Sequence, residues 1–291
     1  MIKNIVFLTL ILSFSFVGCK KDDELVVVPG NQAPPDYTIS SIVKENYVNK
    51  VYISVLGRKP ETIELSSGLF IINQHNLSEL DRAAFLDEVF AKPTYNQRLY
   101  EMASIKLLTS FDTSAITERI AVFQFLLTDS AYASVFDVIN MEIARLELVK
   151  SIPTDLNNGT LTTIGMHRRL IDNNFYDDIN MGTENFVVSS FQHFMDRYPT
   201  ENELEQSSNM VDGLSAVIFF SQGNTKSQYM DIIFNTDNYF ESEVRELYVR
   251  YLFREPTSAE MSKYATEYKT DLNYKKLQKT ILSLDEYVGI K

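Results

Sequence analysis

Tyr52-Ile-Ser-Val-Leu-Gly-Arg58-Lys-Pro60-Glu-Thr-Ile-Glu64 decides the fold, because its skeleton returns twice further along the chain. An aromatic residue, five residues, then Arg-x-Pro-x-x-x-Glu recurs at Phe191, Arg197, Pro199 and Glu203, and again at Tyr248, Arg254, Pro256 and Glu260. In the two later copies Thr200 and Thr257 follow the proline, with the glutamate three residues on. That pattern is a capping box: the hydroxyl accepts from a free first-turn amide, and the glutamate reaches back to the cap amide. Copy one has Glu61 at the cap position, so its cap is weaker or differently made. The apolar residue after each glutamate (Leu65, Leu204, Met261) opens a new buried face. Each copy therefore reads as helix, Arg-Pro corner, helix. An arginine before the proline can bond free helix-end carbonyls and pair with the next glutamate, fixing the angle between helices. The expectation is that all nine corner residues are structural; three arginines sharing a ligand is the competing reading.

Outward from the corners, apolar residues recur at helical spacing almost everywhere. Helices are expected over 41–57, 61–73, 79–91, 94–109, 114–127 and 130–150. A shorter one is expected over 161–173, then 185–196, 200–220 through Gly213, 225–235, 237–253, 257–269 and 272–284. Pro153 and Asn157-Asn158-Gly159 read as a turn, and 174–185, with Gly182 and several Asn and Asp, as an irregular loop. Only Leu25–Val28 has strand character. The fold class is thus all-α: a multi-helical array of short helices built from three diverged helix-corner-helix modules. Residues 41–110 form the first module, 111–185 a helical insertion with the irregular loop, and 186–291 the second and third modules. Each module also ends on an apolar stretch followed by a tyrosine, at Tyr95, Tyr239 and Tyr287, at variable distance, which disfavours a regular superhelix.

The segment from Tyr52 to Glu64, continued through Phe85–Phe90 and Tyr95, resembles a family of uncharacterised helical domains in secreted planctomycete proteins, often found beside cytochrome-c-type domains. It is also similar to a short bacterial repeat carrying Leu-Gly-Arg in surface proteins. The resemblance covers about 44–105 well and the later copies in part. The chain departs from the first family in lacking a Trp after Tyr95 and any haem-attachment sequence. What the resemblance implies is a helical architecture, with no catalytic residue carried over.

Residues 1–18 read as an export signal: Lys3, then an apolar run from Ile5 to Phe16 that is too short to span a bilayer. Val17-Gly18-Cys19 resembles a bacterial lipoprotein signal, which implies Cys19 as the lipidated (palmitate-bearing) first residue of the mature chain. The acidic run Asp22-Asp23-Glu24 resembles the surface-export signal of Bacteroidota lipoproteins, so an outer-membrane anchor on the cell-surface face is expected. Residues 19–40, with Pro29-Gly30 and Pro34-Pro35, read as a flexible tether. Cys19 is the single cysteine, so the mature chain has no disulfide and is stabilised by its core alone. Without Lys3, 26 basic residues face 39 acidic ones; this excess disfavours nucleic acid and broad contact with an anionic bilayer.

Signs of chemistry are sparse. One cysteine excludes a haem-attachment pair, and there is no phosphate loop or His-Glu-x-x-His. His167 and His193 with nearby carboxylates can hold a metal in principle, but their separation of 26 residues carries no ligand pattern. His193 reads instead as a half-buried helix residue by the second corner. Calcium at Asp172, Asp177 and Asp178 lacks the loop pattern. No metal and no cofactor is expected. The most distinctive unrepeated stretch is 166–184: His167, Arg168, Arg169, Asp172, Tyr176, Asp177 and Asp178 can line a binding groove, or form a solvated loop tied by ion pairs. Thirty-five Phe and Tyr, with no Trp, serve as core wedges or as an exposed partner surface. Asp129-Ser130-Ala131 resembles an O-glycosylation acceptor of Bacteroidota exported proteins. The expectation is a surface-exposed outer-membrane lipoprotein with a non-catalytic, protein-binding or scaffold role beside another outer-membrane or secreted protein. The alternative is glycan binding in support of polysaccharide capture.

Overall fold

The computed structural model describes residues 38–109 and 113–290. The expected export signal, Cys19, Leu25–Val28 and most of the expected tether lie outside the described residues. The end of that tether belongs to the domain instead: the Ile39 amide bonds the Asn76 side chain, and Ser40 caps the first helix.

The first module comprises α1 (Ser41–Leu56), α2 (Thr62–Ile72), α3 (Glu79–Phe90) and α4 (Pro93–Leu108). The insertion holds α5 (Thr113–Leu126), a 3-10 turn (Ser130–Val135), α6 (Phe136–Lys150), α7 (Ile152–Asn157), α8 (Thr163–Ile171) and α9 (Asn174–Ile179). The rest is α10 (Thr183–Met195), α11 (Glu201–Val211), strands β1 (Ala216–Ile218) and β2 (Ser221–Gly223), and α12 (Lys226–Ile233). It closes with α13 (Asp237–Leu252), α14 (Ser258–Asp271), α15 (Tyr274–Leu282) and α16 (Asp285–Val288). The protein is an all-α multi-helical array.

The three corners share one set of contacts, to which the third adds a second two-pronged pair between Arg254 and Glu286 at 2.8 and 2.7 Å. Each first helix ends two residues before the arginine, and a left-handed residue stands between them: Gly57 (φ 71°), Asp196 (φ 51°) and Phe253 (φ 56°). Arg58 forms a two-pronged pair with Glu64 at 2.6 and 2.8 Å, Arg197 with Glu203 at 2.8 and 2.6 Å, and Arg254 with Glu260 at 2.9 and 2.8 Å. Each arginine also donates to the carbonyl of the next residue (Lys59, Tyr198, Glu255), which fixes the extended residue before proline. This is a different carbonyl from those expected at the helix end. Each glutamate accepts the amide three residues earlier, from Glu61, Thr200 or Thr257. Each guanidinium also lies over the signature aromatic, 5.6 Å from the Tyr52 ring, 5.1 Å from Phe191 and 5.0 Å from Tyr248. The aromatic, the arginine and the glutamate of the signature thus touch one another in every copy, and the proline follows the residue whose carbonyl the arginine holds.

In the first corner, where no hydroxyl stands at the cap, Lys92 joins Glu64 at 3.0 Å. The guanidinium in each corner, foremost among the causes, pulls the Glu64, Glu203 and Glu260 carboxyls down to about 2. Their contribution to stability is complete above 4.5 and is lost as pH falls toward 2. Glu203→Ala removes a cap bond and a pair whose arginine is one-third exposed and screened by solvent. We expect a loss of about 1–2 kcal/mol in urea unfolding at neutral pH, shrinking toward zero at about pH 2. An undiminished loss in acid contradicts this.

Apart from Ile139, the buried apolar side chains of the described residues form one continuous cluster from Tyr47 to Val288, so the modules share a core. The second and third modules also share a helix: α13 carries both Tyr239, which closes one, and Tyr248, which opens the next. The chain end returns to the first module. The Tyr287 hydroxyl meets Ser54 Oγ at 3.0 Å, and Lys50 Nζ donates to the Tyr287 carbonyl at 2.8 Å. The Tyr95 hydroxyl bonds Gln278 at 2.7 Å, and buried Arg82 reaches the Ser283 carbonyl and Asp285.

Four stretches differ from expectation. Residues 130–150 begin as a 3-10 turn, because Asp129 caps the Ala131 amide before α6 starts. Residues 152–157 form α7 with Pro153 in its first turn, where a turn alone was expected. The expected irregular loop 174–185 holds α9 and the start of α10; the buried Asn173 side chain caps the Phe175 and Tyr176 amides, and both aromatics enter the core. The helix expected over 200–220 stops at Val211, and Gly213 at φ +89° turns the chain into the β1–β2 hairpin.

Candidate functional site

The seven residues singled out in 166–184 do not all face one groove: Arg168, Arg169 and Asp172 border an open groove of about 300 Å³ with Arg145 and Leu148, and the other four lie outside it. Successive positions on α8 point about 100° apart, so His167, Arg168 and Arg169 take three different neighbours. Arg168 pairs with Asp231 and Ser227 of α12. Arg169 bonds Asp155 of α7, the Ser151 hydroxyl and the Leu148 carbonyl. Asp172 lies 3.6 Å from Arg145. Tyr176 is buried, with its hydroxyl 2.9 Å from His193 Nδ1; Asp177 pairs with Lys226 and Asp178 with Arg119. Among the described residues no group of three His, Cys, Asp or Glu is arranged to hold a metal.

His167 instead turns inward, to a cavity of about 70 Å³ between α4, α8, α13 and α15. Its polar lining is Thr163, His167, Lys106, Glu243, Glu246, Arg250 and Tyr274. His167 Nδ1 is 3.0 Å from the Tyr239 hydroxyl, and 3.8 Å from the Glu243 carboxylate, too far for a hydrogen bond. Burial, then Lys106, pushes the imidazole down to about 3, so it is neutral. Glu246 takes both cations, Lys106 at 2.8 Å and Arg250. Glu243, 4 % exposed, is pushed upward by burial and by Glu246. His193 does not line this space. The arrangement places an uncharged imidazole near a buried carboxyl held toward its neutral form, without a bond between them.

Two surface features stand out. The first is the α5–α6 hairpin, where Val122, Phe125, Tyr132, Val135, Val138 and Met141 are all at least 40 % exposed. Between Arg119 and Glu142 the charged residues are Asp129 and Asp137 alone. Its base is held by Arg119, which pairs with Asp178 and covers the Phe175 ring at 4.6 Å. Among the described residues no single helix is long and apolar enough to cross a membrane. Residues 113–126 and 130–150 pass that test only as a pair bent by 112°.

The second feature is a pair of adjoining open grooves of about 520 and 550 Å³ that share Asp237 and Lys269. The tip of the β1–β2 hairpin borders one of them. The sequence holds no local signal for either feature beyond the thinness of charge in 120–141.

Comparison with protein-family models, with curated proteins and with solved structures finds no match to this chain.

Proposed function

We propose that this protein is a non-catalytic helical lipoprotein of the outer membrane, facing the cell surface through a lipid on Cys19. Its role is to dock another envelope protein. The observation that carries the reading is the apolar face of the α5–α6 hairpin. A chain with 39 acidic residues places only two of them, Asp129 and Asp137, in 120–141 and leaves six large apolar side chains there uncovered. Large apolar side chains left exposed together on one helical hairpin mark association sites. The thin acidic charge and the absence of Lys and Arg between Arg119 and Arg145 favour an apolar protein surface over anionic headgroups.

The test is photo-cross-linking in native membranes from Phe125 and Met141, with Phe70 on α2, also exposed, as the control position. One stoichiometric membrane-protein adduct is expected from the hairpin positions. It should fall at least tenfold in a Phe125→Asp, Val138→Asp variant that keeps its helical circular dichroism. Equal adducts from Phe70, or none from the hairpin, overturn the docking role.

A further inference from the structure

The turn between β1 and β2 is built against its own backbone preference. Ile218 pairs with Ser221, so the loop is the two residues Phe219 and Phe220, and both have left-handed φ, 47° and 61°. Two-residue hairpins with positive φ at both positions take Asn-Gly, Asp-Gly or Gly-Gly, because a side chain there crowds the following carbonyl. A bulky aromatic at each is a strained choice, and such strain collects at functional positions. The two rings have different roles. Phe219 stacks on Phe191, centroids 6.0 Å apart, and Phe191 is the aromatic covered by Arg197 in the second corner. Phe219 therefore fastens the turn to a rigid corner. Phe220 packs on nothing: it is 104 % exposed, the most exposed large apolar side chain among the described residues.

The groove beside it supplies the complement. Asn235, Asn238 and Ser221 line its wall, and among the described residues the two amide side chains make no hydrogen bond within the chain. The adjoining groove adds Glu241 beyond the Asp237–Lys269 pair, which holds at 2.8 Å. We propose that Phe220 and these two grooves form an oligosaccharide-binding site. The Phe220 ring takes the flat hydrogen-bearing face of one pyranose, and the Asn235 and Asn238 amides bond the hydroxyls of the next units. Carbohydrate fits better than an apolar peptide because one flat, fully exposed ring is followed by two uncommitted amides and the Glu241 carboxylate, while the apolar lining is spread thinly, Ile232 in one groove and Pro256, Met261 and Ala265 in the other. The joint volume of the grooves, about 550 and 520 Å³, suits a chain over a monosaccharide, and β-linked hexopyranoses present the flattest such face. The site is independent of the α5–α6 hairpin.

The test uses the full chain in detergent against soluble β-glucan, xylan, mannan, pectin and dextran in affinity electrophoresis and calorimetry. A pool of extended peptides is run alongside. Retention by at least one β-linked polysaccharide is expected, with affinity lost at least tenfold in Phe220→Gly. The same substitution relieves the turn, so its thermal midpoint should rise by about 2–4 °C. Gained stability with lost binding is the signature of strain kept for a ligand. An Asn235→Ala, Asn238→Ala variant, which leaves the turn intact, should weaken binding by a similar factor. No retention of any polysaccharide, retention unaffected by both variants, or retention of the peptides alone overturns the proposal.

Discussion

Tyr287→Ala is expected to destabilise the protein by about 3–5 kcal/mol in urea unfolding. The ring is 1 % exposed and sits between Tyr47 and Tyr251, at centroid distances of 6.1 and 6.0 Å, with Lys50 Nζ 3.9 Å above it. It belongs to α16, four residues long, too short to be stable by itself and held by this side chain. Removing it opens the seam where the chain end meets α1. The loss therefore falls on an interface between modules that are far apart in sequence, as well as on the cavity left behind. Tyr287→Phe keeps the packing and gives up the bond to Ser54, for which about 1 kcal/mol is expected. A Tyr287→Ala loss below about 1 kcal/mol means that α16 does not close the fold.

The second large effect lies in the internal cavity and depends on pH. Burial, then Glu246, raises the Glu243 carboxyl above its ordinary 4.5. The groups facing it are His167 on α8, Lys106 on α4, Glu246 and Arg250 on α13, and Tyr274 on α15. A raised carboxyl contributes its full stability below 4.5 and loses it as pH rises through the folded value. Buried His167 acts in the opposite sense: its contribution is complete above 6.5 and is lost as pH falls toward 3. Glu243→Gln keeps the shape and removes the charge. The variant is expected to match the parent at about pH 5 and to exceed it by about 2 kcal/mol at about pH 9. Unfolding curves across that range decide it; parallel pH profiles for parent and variant contradict the assignment.

What could be read beforehand follows from the range of each interaction. The corners were legible because aromatic, Arg, Pro and Glu lie within thirteen positions and touch one another. The helices were legible through periodicity. The hairpin was not: Ala216–Ile218 and Ser221–Gly223 are three residues each, too short to show alternation, and Phe219-Phe220 defies the turn chemistry that would have flagged it. The cavity was invisible for another reason, since Lys106, His167 and Glu243 meet only after three distant helices pack. The stretch 166–184 looked like a site because its charges adjoin in sequence. Helical geometry sends neighbours in different directions, and each charge finds a separate partner.

The helix common to the last two modules has a consequence for dissection of the molecule. One continuous rod serves both units, so there is no point between Thr183 and Val288 at which a protease or a gene truncation can leave both of them whole. Any cut that frees one unit takes from the other the support that holds its closing or opening tyrosine. This stretch should resist limited digestion as a block and, once breached, come apart together.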